Sequence, residues 1–387
     1  MKRKIAILGS TGSIGKTLLK IIDKDKKNFE IVLLTGGKNY KELIKQSKKY
    51  KVKNIILTNQ NSFDKIKEIN KNKKLNIYND FKNLNKIFNN KLDYVMSSIT
   101  GLDGLNPTLK IIKFTKTIAI ANKESIICGW NLIHKELVKN KTNFIPVDSE
   151  HFSIWYSLKN NQISNINKIY LTASGGPLLN VPLFKLENIK IKNVLKHPNW
   201  KMGKKISVDS ATMMNKVFEI IEARNIFNLE LKKLSILIHP KSYIHAIVNF
   251  NDGMIKIIAH ETTMEIPIIN SIYKNQDLSF NPKKLDLKKL NNLNFSKVNK
   301  IKYPIVKILN QLSNNISLYE TVIVSANDEL VRLYLNKKIK YKNIAQRLIK
   351  FINLSKFKKL KSIPPKSVSE IIKLDQYVRL KINSKSV

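Results

Sequence analysis

Lys4-Ile-Ala-Ile-Leu8-Gly9-Ser-Thr-Gly12-Ser-Ile-Gly15-Lys16-Thr-Leu18-Leu19-Lys-Ile21-Ile22 decides the fold. Lys4–Leu8 is an apolar run of strand length, and Leu18, Leu19, Ile21 and Ile22 then recur at helical spacing. Between them, glycines at 9, 12 and 15 permit a tight turn and a close approach of backbone to ligand. The helix that follows offers its first N–H groups to a bound pyrophosphate. Gly-x-x-Gly-x-x-Gly is a variant of the dinucleotide fingerprint, and the strand before and helix after supply the context it requires. The bland alternative is a glycine-rich turn with no ligand. A triphosphate loop fits worse, because Gly15-Lys16-Thr17 lacks the glycine five residues upstream.

Working outward, Ile31–Leu34, Asn54–Leu57, Tyr94–Ser97, Thr117–Ala121 and Asn143–Val147 read as further strands separated by amphipathic helical stretches. That rhythm predicts an α/β class protein opening with a doubly wound, Rossmann-like parallel sheet over residues 1–148. Residues 149–275 change pattern. Strands at Lys168–Thr172, Ser235–Ile238, Tyr243–Phe250 and Met254–Ala259 with one strong helix predict a central α+β domain. Residues 276–300 read as a connector, and 301–387 as a helical domain whose helices open with Ser317/Glu320 and Ser367/Glu370 capping boxes.

The end of the second strand bears on which dinucleotide binds. NAD-type sheets place an acid there for the ribose 2′-hydroxyl. Here the chain runs Thr35-Gly36-Gly37-Lys38-Asn39, where a cation and an amide would accept a 2′-phosphate, so NADPH is expected. Lys38 as one more surface lysine is the competing account.

Asp148-Ser149-Glu150 follows the last strand of the sheet, where two carboxylates one residue apart can hold a hard cation. A second candidate ligand lies in the segment Val208–Glu222, read as one helix with Met213, Met214, Val217, Phe218, Ile220 and Ile221 on one face. Thr212, Asn215, Lys216, Glu219 and Glu222 fall on the other. That second face is either a wet side, or Ser, Asn and Lys receive a phosphate while Glu219 completes a three-carboxylate site. Oxygen-only ligands favour Mg²⁺ or Mn²⁺ over Zn²⁺. His197-Pro-Asn-Trp200-Lys-Met202-Gly203 suits a lid over a ligand, or a loop stapled down by Trp200. Ser174-Gly175-Gly176 is a second small-residue turn able to receive a phosphate oxygen. His134, His151, His239, His245 and His260 lack metal-ligand spacing, and most read as structural. Cys128 reads as a buried thiol.

The charge is extreme: 70 Lys+Arg against 28 Asp+Glu, net +42. The excess is almost all Lys, spread end to end with Asn and Ile, and A/T-rich codon bias accounts for all three. Arg is scarce and no stacking platform of aromatic and basic residues occurs, so no nucleic-acid partner is expected. Salt-sensitive binding to generic DNA without turnover would favour that alternative. The N-terminus lacks a secretory apolar core, and no stretch approaches ~18 apolar residues. A cytoplasmic location with no membrane partner is the expectation, and a single cysteine suits a reducing compartment.

Taken together, GSTGSIG (9–15), GKN (37–39), ANKES (121–125), VDSEH (147–151), SGGP (174–177), HPNWKMGKKISVDSATMMNK (197–216) with Glu219, and IHPKSYIHAIV (238–248) resemble the 1-deoxy-D-xylulose-5-phosphate reductoisomerase family of the non-mevalonate isoprenoid pathway. The resemblance implies NADPH contacts at Thr11, Gly12, Ser13, Ile14, Gly37, Lys38, Asn39, Asn122, Glu124 and Gly203. It implies Mn²⁺ or Mg²⁺ on Asp148, Glu150 and Glu219. Substrate would be held by Lys123, Ser149, Glu150, Ser174, His197, Ser210, Asn215, Lys216 and Glu219, with Ser174, Ser210, Asn215 and Lys216 taking its phosphate. Lys123, Glu150, His197 and Glu219 would be catalytic, and Trp200 and Met202 would close over the substrate, a small phosphorylated sugar. The family forms homodimers. One departure is clear: around His260-Glu-Thr-Thr-Met264-Glu-Ile-Pro267 the family usually has Gly-x-Pro-Asp-Met-Arg-x-Pro, which keeps Met264 beside the nicotinamide and changes its neighbours. The runner-up is an NADPH-linked oxidoreductase of a phosphorylated sugar without isomerisation, which needs no divalent metal.

Overall fold

The structure, a computed structural model, describes residues 1–69, 75–159, 161–200, 202–273 and 284–384. By packing, the chain divides into two compact units. One comprises Met1–Ser125, Asn131–Asp148 and Met264–Ser279; the other comprises Ile126–Trp130, Ser149–Thr263 and Phe280–Val387.

In the first unit, β1 (Arg3–Leu8), β2 (Phe29–Gly36), β3 (Asn54–Leu57), β4 (Asn76–Tyr78), β5 (Tyr94–Ser97), β6 (Thr117–Ile120) and β7 (Asn143–Pro146) form one sheet in the order β4-β3-β2-β1-β5-β6-β7. Every pairing in it is parallel. Ile5, Ile7, Leu33, Leu34, Ile55, Ile56, Val95, Ile118 and Ala119 are fully buried, the near-continuous apolar signature of parallel strands covered on both faces. Strand order reverses beside β1, so the Gly9–Gly15 turn leaves the sheet at its topological switch point, where such folds bind ligands. β4 has no counterpart in the sequence reading: three residues at the sheet edge, none fully buried, carry too little apolar signal. The helix Glu265–Ile272 packs on the helix Ser13–Asp23 within this unit. Tyr94 and Ser271 share a buried hydroxyl–hydroxyl bond of 2.7 Å there, and the Tyr273 hydroxyl donates to Asp25 at 2.8 Å.

In the second unit, β8 (Ile166–Ala173), β9 (Leu234–Ile238), β10 (Ile244–Phe250), β11 (Ile255–Ala259) and β12 (Ser296–Lys297) form a mixed sheet in the order β11-β10-β8-β9-β12. Ile166, Ile169, Leu171, Ala246, Val248 and Phe250 from its strands pack against Ile154, Ile220, Ala223 and Phe227. Those partners lie on the helices Ser149–Ser157 and Met214–Phe227, so the same apolar contact that builds the core also fixes Glu150 and Glu219. Part of the connector read over 276–300, residues 276–283, lies outside the described residues. The remainder holds the one-turn helix Leu287–Leu290 and β12, a two-residue strand below the reach of periodicity.

The segment read as one helix over Val208–Glu222 is two. Lys204–Thr212 and Met214–Phe227 meet at Met213, which sits in the left-handed region at φ 68°. Nothing in the local sequence announces the break, because Met is unbranched, a good helix former, and neither Gly nor Pro stands there. Of the two accounts of its polar face, the wet side does not hold: Lys216, Glu219 and Glu222 are all at most 5% exposed.

The C-terminal stretch is helical, with Leu318–Leu335, Tyr341–Ile352 and Val368–Ser384 as its long elements. Ser317 and Glu320 close a reciprocal capping box as the sequence predicts. At the second box Ser367 accepts from the Glu370 N–H at 3.2 Å, while Glu370 reaches one residue further back, to the Lys366 N–H at 2.8 Å. Among the described residues no helix is long and apolar enough to cross a membrane.

Candidate active site

The dinucleotide turn has the geometry its glycines imply. Gly12 is the N-cap of the Ser13–Asp23 helix and supplies no capping side chain, which leaves the first-turn amides to an incoming acceptor. A Cβ on Gly15 would stand 2.5 Å from the Ser10 Cα and 2.6 Å from the Gly9 carbonyl oxygen, so only glycine lets helix and turn close up. Gly12, Ser13, Gly37, Lys38 and Asn39 are exposed, and Thr11 and Ile14 partly so. Asn39 also caps the following helix, accepting from the Glu42 N–H at 3.2 Å, which fixes the loop that carries Lys38.

At the other half of this sheet, Asn122 caps the helix Lys123–Lys139, accepting from the Ser125 N–H and donating to the Gly101 carbonyl at 2.7 Å. Its side chain thereby fixes the loop after β5, a role the sequence did not reveal. Glu124 stands in the first turn of the same helix. Lys123 and Asp148, carried by the adjacent ends of β6 and β7, form an ion pair.

In the second unit, Lys216 is the centre. Its ammonium lies 2.6 Å from the Glu150 carboxylate and also pairs with Glu219. The Glu150 and Glu219 carboxylate oxygens come within 4.8 Å of one another. Burial alone would push the Lys216 ammonium below its ordinary value, yet the two carboxylates together hold it above. Asn215 donates to Glu219, and Ser149 donates to Glu150 at 2.5 Å. His151, fully buried, bonds through Nε2 to the Glu219 main-chain carbonyl at 2.8 Å and so fixes the helix turn that carries this acid. Sequence spacing gave no hint of that role. The donor set suits a hard divalent cation on two grounds. Both acids offer oxygen only, and they already hold one positive charge, the lysine's, between them.

A hydroxyl site lies nearby in the chain's order of elements. The His197 Nδ1 accepts from the Asn199 and Trp200 N–H groups at 3.2 and 3.0 Å, so its proton is on Nε2 and is given to the Ser174 Oγ at 3.1 Å. That oxygen also accepts from the Gly176 N–H at 3.0 Å. With two donors satisfied at its oxygen, the Ser174 hydroxyl has its own hydrogen to give to an anion. Burial, with Lys216 adding to it, lowers the His197 pKa to about 4, which keeps the ring neutral in this tautomer. Gly176, at φ 68°, backs directly onto the Met213 joint: a Cβ there would meet the Ser210 carbonyl oxygen at 2.7 Å. Ser174, Ser210, Asn215 and Lys216 therefore belong to two turns in main-chain contact.

Trp200 is partly buried and meets the His245 ring edge-on at 6.1 Å, and His245 stacks on His260 at 3.8 Å. Gly203 caps the Lys204–Thr212 helix and is exposed. His151, His239, His245 and His260 are all buried, as is Cys128. The sequence also missed the buried Arg224–Glu320 pair at 2.8 Å, which ties the Glu219 helix to the capping box of Leu318–Leu335. Its partners are too far apart along the chain for any local pattern.

A doubly wound dinucleotide sheet joined to an α+β unit with a buried lysine–carboxylate cluster defines a nucleotide-dependent enzyme of the α/β class. Family profiles described as 1-deoxy-D-xylulose 5-phosphate reductoisomerase, its C-terminal domain, and DXP reductoisomerase C-terminal domain match residues 5–129, 144–227 and 260–381. The chain belongs to the 1-deoxy-D-xylulose 5-phosphate reductoisomerase family. It is 62% identical to the enzyme of that name from Pelagibacter ubique (strain HTCC1062), over 100% of both chains. It is 35% identical to that from Clostridium tetani, over 98% of this chain and 100% of the relative. Among solved structures, the reductoisomerase from Zymomonas mobilis in complex with NADPH superposes with TM-score 0.87 at 28% identity, over 100% of this chain and 99% of that one. A DOX-P reductoisomerase in complex with NADPH, fosmidomycin and magnesium superposes with TM-score 0.91 at 28% identity, over 99% and 98%.

Proposed function

We propose that this chain converts 1-deoxy-D-xylulose 5-phosphate, NADPH and a proton into 2-C-methyl-D-erythritol 4-phosphate and NADP⁺, with Mn²⁺ or Mg²⁺, in non-mevalonate isoprenoid synthesis. NADPH lies across the Gly9–Gly15 turn, contacted by Thr11, Gly12, Ser13, Ile14, Gly37, Lys38 and Asn39, with Asn122, Glu124 and Gly203 completing the site. Asp148, Glu150 and Glu219 hold the metal. When bound, the metal supplies Lewis-acid stabilisation of charge on adjacent substrate oxygens, and NADPH supplies hydride.

The chain's own residues account for binding and orientation. Ser174 and Ser210 give hydroxyl hydrogens to the phosphate, with Asn215 and the Lys216 ammonium beside them. Anchoring a group remote from the reacting carbons fixes those carbons against the carboxylates. Neutral His197 holds Ser174 in its donating orientation, and Lys123, paired with Asp148, faces the reacting oxygens with Ser149. Trp200 and Met202 close over the site and exclude water. Residues 1–148 serve the dinucleotide, 149–275 the metal and substrate, 276–300 connect, and 301–387 support. The protein is cytoplasmic and acts as a homodimer.

The observation that carries this reading is the buried Lys216 pairing both Glu150 and Glu219, since one phosphate-type cation and two metal-type acids come to the same point. The test is NADPH oxidation with 1-deoxy-D-xylulose 5-phosphate, with and without Mn²⁺ or Mg²⁺. Metal-dependent oxidation is expected. Full activity after chelation would favour simple hydride transfer without isomerisation.

A further inference from the structure

Two tyrosines from the stretch after residue 300 each hold a main-chain carbonyl next to a serine of the proposed phosphate site. The Tyr303 hydroxyl donates to the Gly175 carbonyl at 2.7 Å, and the Tyr341 hydroxyl donates to the Ala211 carbonyl at 2.7 Å. Gly175 follows Ser174, and Ala211 follows Ser210. Both tyrosines are buried, and the Tyr303 ring packs in one cluster with Ala173 and Met213, the residues at the root of one turn and the break of the other. Gly176 and the Ser210 carbonyl oxygen already meet with no room for a Cβ. The two turns are thus locked to each other and, separately, each to a tyrosine. Burial pushes the Tyr303 hydroxyl up to about 12 and Tyr341 higher still, so both remain donors.

We propose that Tyr303 and Tyr341 are positioning residues for the substrate's phosphate, fixing the Ser174 and Ser210 turns in the one arrangement that presents both hydroxyls beside Lys216. The physical reason is the carbonyl. An untied peptide beside either serine can turn its oxygen toward the phosphate and repel it, whereas a carbonyl bonded to a buried hydroxyl cannot. The inference rests on the reading above that these serines take the phosphate.

Tyr303→Phe and Tyr341→Phe each remove one oxygen and leave the ring in place. Tyr334→Phe is the control: its buried ring meets Tyr341 edge-on at 6.2 Å, and its hydroxyl has no hydrogen-bond partner among the described residues. In the full chain with NADPH and Mn²⁺, KM for 1-deoxy-D-xylulose 5-phosphate and the inhibition constant of inorganic phosphate each rise about fivefold in the first two variants. Their kcat and their KM for NADPH stay within about twofold. The control changes none of these. Protection against thermal unfolding by inorganic phosphate reads the same loss without turnover. Unchanged phosphate inhibition in both variants, with the unaltered chain active, would overturn this inference alone. So would a parallel loss of kcat and NADPH affinity, the mark of general disruption. An unaltered chain that does not turn over the substrate would sink the underlying reading and this inference with it.

Discussion

The buried Lys216 ammonium stands 2.6 Å from the partly buried Glu150 carboxylate, although the two residues lie on different helices and 66 positions apart. Removing the cation leaves Glu150 and Glu219 facing each other in a dry site. Lys216→Met is expected to cost about 3–5 kcal/mol of stability without metal, the penalty for a buried charge stripped of its partner. Mn²⁺ should then raise the thermal midpoint of the variant more than that of the unaltered chain, since the ion takes over the neutralising role. Scanning fluorimetry with and without Mn²⁺ reads this directly. Equal metal shifts in both proteins would mean that Lys216 and the ion do not share these acids.

Glu219→Gln keeps the side chain's shape and its bond from Asn215 but removes the charge. Turnover is expected to fall on the order of a hundredfold or more, the scale seen when a preorganised electrostatic contact is lost. NADPH affinity, read by quenching of protein fluorescence, should be unaltered. A variant with normal kcat would take Glu219 out of the reaction.

Most of the first sheet was legible in sequence because a parallel strand buried on both faces is a continuous apolar run, and the Gly9–Gly15 turn punctuates it. The Asp148 and Glu150 pair drew notice for a different reason: in a chain with 28 acids against 70 bases, two acids one residue apart stand out. What the sequence concealed depends on contacts between distant segments. The left-handed Met213 is held by packing with Ala173 and Tyr303, so its conformation is imposed by tertiary structure against a helical preference. Glu219 and Lys216 look like a wet helical face because periodicity reports polarity and cannot tell water from a partner charge. Tyr303 and Tyr341 carry no pattern at all.

Gly176 supplies a backbone test. Its φ is 68°, and an alanine methyl there would stand 2.7 Å from the Ser210 carbonyl oxygen, so Gly176→Ala combines left-handed strain with a main-chain clash. The expected loss is about 1–3 kcal/mol in urea unfolding, together with a raised KM for the phosphorylated substrate. A neutral change would show that the two turns are not in contact.

Acid sensitivity follows from the buried histidines. Burial, with the neighbouring His260 adding to it, lowers His245 to about 3, and burial lowers His260 as well, against an ordinary value of 6.5. With His197 at about 4, the unfolded chain binds more protons than the folded one from 6.5 downward to those values. Stability is therefore full above about pH 6.5 and declines as pH falls through that window. Urea midpoints at about pH 7 and about pH 5 should fall further apart for the unaltered chain than for His245→Gln, which removes one of these sites. Identical declines would contradict the neutral, buried state of His245.

The product itself tests the central claim most directly. After complete reaction of 1-deoxy-D-xylulose 5-phosphate with NADPH and Mn²⁺, carbon NMR should find a branched skeleton carrying a methyl group on a carbon with no hydrogen, formed mole for mole with NADP⁺. An unbranched polyol phosphate, with the methyl still at the end of a straight chain, would contradict the account and leave a simple reductase in its place.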